Sequence, residues 1–240
     1  MARCKVLSTR RLDPSLAEQA KKGGMELEET DFICIRPVRS DAVARQIQPW
    51  IEKEAPSFVV FTSANGVAAV MHYLEKAGTL HTPNWKVFCI SGKTREALAA
   101  ALPGAAVVAT AQYGSHLAQL ILQHSDIKEV VFFCGDKRLE ALPALLGEAG
   151  IRVHEIVVYH TEEVHITTRE DLDGVLFFSP SAVSSFFAAN QLKGTTVCFA
   201  IGTTTADALA RYTTNKIITP SSASQAAMLE AVQHYFQRIN

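Results

Sequence analysis

No C-x-x-C pair, no tight His/Cys cluster and no apolar run near the ~20 residues that a membrane span needs occurs in this 240-residue sequence. Absent too are G-x-G-x-x-G, a Walker phosphate loop, G-x-S-x-G and the Ser-His-Asp orders of hydrolytic triads. Resident metal chemistry, dinucleotide binding and conventional nucleophilic catalysis thus have no support, and neither a metal nor a cofactor is expected. Charge excess is missing as well. With 23 basic and 24 acidic residues, nothing marks a general binder of nucleic acid or membrane surfaces. The opening MARCKVLSTRR has no apolar core of the secretory kind, so a soluble cytoplasmic protein is expected. Cysteines are few and odd in number. Cys4, Cys34, Cys89, Cys134 and Cys198 all fall in or beside apolar runs, which suits reduced core thiols.

What is present is a repeat. Residues 59 to 74 read VVFTSANGVAAVMHYL and residues 175 to 190 read VLFFSPSAVSSFFAAN. Each opens with a β-branched and aromatic run suited to a buried strand, passes through a small polar cluster and enters a helical stretch. In the first copy Thr62 to Gly66 is read as the connection. In the second, Ser179 is placed to cap and Pro180 to occupy the first turn. The echo continues as KVFCISGKTREALAAAL (86 to 102) and TVCFAIGTTTADALARY (196 to 212), each a strand that ends in Gly and leads into an alanine-rich helix. The two pairs of copies begin 116 and 110 residues apart, too far for a solenoid and right for two related α/β lobes.

Along the chain, Val6 to Thr9 reads as a strand and Asp13-Pro14 opens a helix that stops at Gly23-Gly24. A second strand then runs through Phe32 to Ile35 until Pro37 ends it. A helix is expected near 41 to 54 and strands at 106 to 110 and 129 to 135. The segment IRVHEIVVYHT (151 to 161) is long for a single strand and reads as a crossing between lobes. The region from 174 has three strong strands, and the first 35 residues can complete it. The economical architecture is therefore a continuous lobe, 36–165, inserted into a discontinuous lobe, 1–35 with 166–240. Parallel strands would gather the loops at the carboxyl edge of each sheet, where α/β proteins bind ligands, and a cleft shared by the two lobes is expected.

Those loops are rich in hydroxyls: Ser8-Thr9, Thr62-Ser63, Ser91 with Thr94, Ser179 with Ser181, Thr203-Thr204-Thr205 and Ser221-Ser222. Arg10, Arg11, Lys93, Lys137 and Arg138 add cations. Helix starts offer free N–H groups and suit anions such as carboxylates. The same serines and threonines are equally read as plain N-caps, and the cations as solvated surface. His154, His160 and His165 fit strand alternation or a polar linker better than catalysis. Tyr159 ends an apolar run at an expected lobe junction, where a core role and a site role both stand.

Five motifs in order, VLSTRR, VVFTSANGV, VVYHT, LFFSPSAV and AIGTTTADALA, make the whole chain resemble the uroporphyrinogen-III synthase family. The resemblance implies an α/β fold of two flavodoxin-like parallel-sheet lobes joined by a two-stranded connection. It implies a reaction in which hydroxymethylbilane, a linear tetrapyrrole with eight carboxylates, loses water and closes to uroporphyrinogen III with ring D inverted. By the same resemblance Tyr159 matches a tyrosine that assists hydroxyl departure. Thr62, Ser63, Ser179, Ser181, Thr203 and Thr204 match turn residues that hold acetate and propionate groups, with Thr94 their counterpart in the Gly92 turn and Arg10 a carboxylate partner. No cofactor is implied. A monomer is expected, with transient contact to the preceding enzyme of the pathway, and no nucleic-acid or membrane partner. The sequence departs from the family pattern in GKTREAL, one residue shorter than GTTTADAL between Gly and Leu, and in Pro37, displaced from the end of the second strand. A two-lobed binding protein or sensor for a small anion accounts for the same repeats, and a phosphate- or nucleotide-handling enzyme for the helix starts.

Overall fold

The computed structural model describes residues 4–78 and 83–239. Residues 1–3 and 240, at the ends of the expected discontinuous lobe, and 79–82, in the expected inserted lobe, lie outside the described residues. In chain order the elements are β1 (Cys4–Ser8), α1 (Pro14–Lys22), β2 (Met25–Glu29), β3 (Ile33–Pro37), α2 (Asp41–Glu52), β4 (Ser57–Phe61), α3 (Ala64–Lys76), β5 (Trp85–Ile90), α4 (Lys93–Ala101) and β6 (Ala106–Ala111). They continue with α5 (Gly114–Leu122), β7 (Glu129–Gly135), α6 (Ala141–Glu148), β8 (Arg152–Glu163), β9 (Gly174–Phe177), α7 (Pro180–Phe187), β10 (Val197–Ala200), α8 (Thr203–Leu209), β11 (Ile217–Ile218) and α9 (Gln225–Ile239).

Helix starts follow local chemistry. Asp13 accepts from the Ser15 N–H at 3.0 Å, Ser40 from Val43 at 3.2 Å, Ser63 from Asn65 at 3.1 Å and Ser179 from Ala182 at 3.1 Å. Pro14 and Pro180 occupy first turns, where their missing N–H is not needed. Because Ser63 is the cap of α3, Ala64, Asn65 and Gly66 lie inside the helix and not in the connection that the sequence suggested.

The chain divides into two units. One comprises the described residues through Cys34 together with those from Glu162, and the other runs from Ile35 to Thr161. The second crossing thus falls inside β8, at 161/162 and not at 165/166. In the first unit the sheet order is β11-β10-β9-β1-β2, and all its pairings are parallel. Numbered along that unit, the order is 2-1-3-4-5, the flavodoxin-like arrangement. The second unit has the order β3-β8-β7-β4-β5-β6, with β4 to β8 parallel. Its parallel strands read 3-2-1-4-5, which becomes the same order if counting starts at β7. The crossing strands β3 and β8 run antiparallel: the Val38 N–H bonds Val158 O and the Val164 N–H bonds Phe32 O, each at 2.9 Å, so one chain number rises as the other falls.

Each sheet is covered on both faces. In the second unit Val59, Phe61, Val131 and Phe133 pack under α2, α3 and α4, while Val60, Phe88, Val130 and Phe132 pack under α5 and α6. In the first, Val6 and Leu176 meet α1 and α9, and Leu7, Val175 and Phe177 meet α7 and α8. Strands buried on both faces lose the polar alternation of half-exposed ones, which is why the central strands read as continuous apolar runs.

The second strand of the first unit differs from expectation. It is β2, with the sequence MELEE, whereas the apolar run Ile33–Pro37 departs into the other sheet as β3. β2 lies at the edge of its sheet. Met25 and Leu27 point inward while Glu26 and Glu28 stay exposed, and charges on an edge discourage pairing with other chains. A search for buried apolar runs passes over such a strand. Helix α2 ends at Glu52, short of 54.

Cys89, Cys134 and Cys198 are buried free thiols. Burial pushes Cys134 up to about 11 and Cys198 up to about 12. In the native protein at pH 8 these three should resist alkylation, whereas in guanidinium every cysteine should react; rapid native labelling of Cys198 would refute the burial. The unfolded chain releases such protons near 9.0, the native one only above that, so these thiols make stability fall as the pH rises past 9.0. Phe133 stacks on Phe61 at 5.4 Å and meets Trp85 at 5.6 Å. Phe133→Ala should cost about 3–5 kcal/mol in equilibrium unfolding of the second unit; a loss below about 1 kcal/mol would show that the stack does not hold this core.

Candidate functional site

Parallel pairing sends every strand's carboxyl end to one edge of its sheet, and ligands of such sheets bind where the strand order reverses. In the second unit that point lies between β4 and β7, whose helices α3 and α5–α6 cover opposite faces. Thr62 and Ser63 follow β4, and Gly135 and Asp136 sit at the end of β7. In the first unit the reversal lies between β1 and β9. Arg10 follows one of these strands, and Ser179 and Ser181 follow the other. Both copies of the first repeat, after β4 and after β9, are therefore placed at a reversal.

Tyr159 reaches the second unit's reversal by an irregularity. Pairing of β7 with β8 runs Phe133 to Ile156 and Cys134 to Val157, then slips so that Gly135 faces Tyr159. One extra residue on β8 is a β-bulge, and it flips the side chains that follow to the other face. Ile156 and Val158 pack toward α2–α4 and Val157 toward α5–α6. Strict alternation would send Tyr159 with Val157, yet its ring packs with Ile156 and Val158. From there it lies over Gly135. A Cβ at Gly135 would collide with Cε2 of the Tyr159 ring and lie 2.5 Å from Cζ and 2.8 Å from Oη. Gly135 has no positive φ, so what it provides is space. With two strand spacings, about 9–10 Å, between β8 and β4, a bare Cα on β7 lets the phenol pass. The Ser63 side chain lies near enough to the Tyr159 hydroxyl to favour its ionised form.

Burial raises the Tyr159 phenol above its ordinary 10.0; the nearby Ser63 side chain opposes this, while Cys134 and Asp136 add to it. The group is neutral at physiological pH and able to donate. Asp136 is held in place from several sides: Oδ1 accepts from the Thr161 N–H at 2.8 Å and the Lys137 N–H at 3.0 Å, and His160 Nδ1 lies 3.2 Å from Oδ2. Burial opposes ionisation of Asp136, but these bonds outweigh it and lower its pKa.

The remaining expected site residues are distributed unevenly. Thr62 is half-buried beside Ser63. Thr94 is buried within α4, leaving Ser91, Gly92 and Lys93 as the exposed part of that turn. Thr203 and Thr204 are exposed in the first turn of α8, whose cap Gly202 has no side chain to offer. Ser179 spends its oxygen on the Ala182 N–H, and Ser181 is half-buried in the same turn. Arg10 is exposed, its guanidinium 5.8 Å from the centre of the Phe178 ring. The other cations divide: Arg138 is engaged by Glu155 and by Glu140 at 3.1 Å, and Arg11 lies 3.6 Å from Asp31. His154 and His165 pair with Glu129 at 3.0 Å and Glu163 at 3.6 Å.

Cavities within the first unit lie both at its carboxyl edge, where one of about 530 Å³ is lined by Arg11, Leu12, Pro14 and Glu29, and away from it. One of about 550 Å³, lined by Thr167, Arg169, Phe187, Asn190 and Lys193, opens on the segments that precede β9 and β10. Among the described residues no group of three or more His, Cys, Asp and Glu is placed to hold a metal ion, and no helix is long and apolar enough to cross a membrane. The sequence reading singled out Tyr159 but not Gly135 as its support. The signal was there, a glycine closing an otherwise apolar strand before an aspartate, yet its use depends on which residue of β8 lies opposite.

Gly135→Ala should displace the Tyr159 ring without strain in the backbone. We expect an unchanged far-UV spectrum, with the Tyr159 phenol ionising nearer 10.0 in ultraviolet titration. An unaltered titration would mean that the ring does not depend on this gap.

The family model described as HEM4, Uroporphyrinogen-III synthase HemD, matches residues 14–230. Among solved structures, a mutant uroporphyrinogen III synthase from the extremely thermophilic bacterium Thermus thermophilus is 18% identical with a TM-score of 0.67, over 98% of this chain and 99% of that one. The enzyme from Helicobacter pylori is 20% identical, also with a TM-score of 0.67, over 97% and 99%. At such identities the structures speak for the fold, and the family is carried by the sequence match: this chain belongs to the uroporphyrinogen-III synthase family.

Proposed function

We propose that this protein dehydrates and cyclises hydroxymethylbilane to uroporphyrinogen III with inversion of ring D, working in a cleft between its lobes. Besides membership of the family, one observation carries the reading: a neutral phenol, Tyr159, is held at a strand-order reversal over Gly135 with the Ser63 side chain near its hydroxyl.

The chemistry needs little covalent help. Departure of the ring A hydroxyl as water leaves an azafulvenium cation stabilised by the pyrrole nitrogen. Ring D attacks through its substituted α-carbon to give a spiro pyrrolenine, which fragments and recloses inverted, and loss of a proton restores the pyrrole. A protein aids this by folding the chain and by donating to the leaving hydroxyl. Tyr159 is the donor in this reading. Its raised pKa keeps the proton available at neutral pH, and Ser63 orients the hydroxyl. Arg10, Thr62, Ser179, Ser181, Thr203 and Thr204 hold substrate carboxylates through charge and hydroxyl donors. Thr94, being buried, would act through the placement of its turn.

Purified protein should convert enzymatically generated hydroxymethylbilane mainly to the type III isomer, resolved after oxidation to the porphyrin. Isomer I alone, the product of spontaneous closure, would overturn the activity, and saturable binding of the bilane alongside that result would favour a non-catalytic binding protein. Tyr159→Phe should lower kcat by on the order of 10²-fold with KM little changed, since it removes a donor used as the hydroxyl leaves. Unchanged kinetics would remove Tyr159 from the chemistry.

A further inference from the structure

The bulge that turns Tyr159 toward Ser63 carries one extra residue on β8, and an insertion of that kind needs something to hold it in one arrangement. Asp136 bonds to the three consecutive residues at and after the slip. Its own N–H donates to Tyr159 O at 3.2 Å. Its Oδ1 accepts from the Thr161 N–H at 2.8 Å, and its Oδ2 faces His160 Nδ1 at 3.2 Å. The Lys137 N–H, bonded to Oδ1 at 3.0 Å, fixes the carboxylate's own rotamer. The side-chain bonds lie immediately past the tyrosine, so the backbone that aims the ring is tied to the end of β7, where Gly135 leaves room for it.

We propose that Asp136 is a positioning residue for the dehydration step, clamping the β8 bulge so that the Tyr159 phenol lies over Gly135 and within reach of Ser63. The inference rests on the synthase reading, and it adds a carboxylate that acts through the tyrosine and does not touch substrate. Without the clamp the Thr161 N–H loses its acceptor, and β8 can relax toward regular pairing. Regular alternation would swing Tyr159 to the face of Val157, away from Ser63. The nearby negative charge also supports the proton on the phenol, since Asp136 is among the groups that raise the Tyr159 pKa after burial.

Two variants separate this role from a plain turn-stabilising one. Asp136→Ala removes both side-chain acceptors. Asp136→Asn keeps an Oδ1 for the Thr161 and Lys137 N–H groups. Asp136→Ala should lower kcat by on the order of 10²-fold with KM within about twofold, because a misplaced donor fails only as the hydroxyl leaves. Asp136→Asn should recover most of that loss. In a Tyr159→Phe background Asp136→Ala should cost almost nothing more, and an equal cost in both backgrounds would overturn the proposal. With ring-labelled tyrosine and no substrate, the Tyr159 Cζ resonance should move in Asp136→Ala and stay near its native position in Asp136→Asn. An unmoved resonance in the alanine variant overturns the proposal whether or not the wild type makes uroporphyrinogen III. A wild type that yields only isomer I, with the resonance moved, instead overturns the functional reading and leaves the clamp standing.

Discussion

Parallel pairing is the constraint from which the rest of this molecule follows. A parallel strand cannot return by a tight turn, so each connection must travel the length of the sheet, and here helices make most of those journeys. Helices on both faces bury the strands completely, which demands the apolar runs at β4, β7, β9 and β10. The same geometry delivers every loop that follows a strand to one edge of its sheet. Hydroxyls of Thr62, Ser63, Ser179 and Ser181 are thereby brought beside the strand-order reversals of their own sheets. The duplicated motif is a duplicated position in a sheet before it is anything chemical, and its serines cap helices in both units.

That regularity breaks where β8 pairs with β7. Along β4 alternation decides which face a side chain sees, while β6 carries a slip of its own opposite Val87 and Phe88. At Cys134/Gly135 a one-residue slip reverses the rule, a glycine opens a gap, and a tyrosine from β8 reaches the loop after β4 across the intervening strand. Bulges disrupt a ladder and are retained where they aim a side chain. The arrangement holds a neutral phenol in half-buried surroundings.

Much of the fold was legible because the signals are local. Buried strands show themselves as Val, Ile and Phe runs, helix starts as Ser or Asp beside Pro, and the two units as a repeat at a spacing of about a hundred residues. Where reading failed, the sequence was ambiguous for a physical reason. MELEE is half exposed on an edge and resembles a connection, whereas Ile33–Pro37 looks like the strand that should follow α1 but serves the other sheet. Ala64 to Gly66 looks like a turn until Ser63 is seen to cap the helix ahead of it. Thr94 has the composition of a ligand-binding turn, and only burial shows that it faces its own core.

By itself the sequence determined the class of fold and the family, because each depends on residue types at short range or on motifs in fixed order. It also singled out Tyr159. Tertiary structure alone decided where that tyrosine lies, because the register between β7 and β8 joins residues more than twenty positions apart and is not written in either strand. The apolar stretch 156–158 of β8 could meet apolar β7 in neighbouring registers. The one adopted satisfies Asp136, leaves a glycine beneath a phenol and brings Ser63 to its hydroxyl, a conjunction that exists only once all four residues are in place.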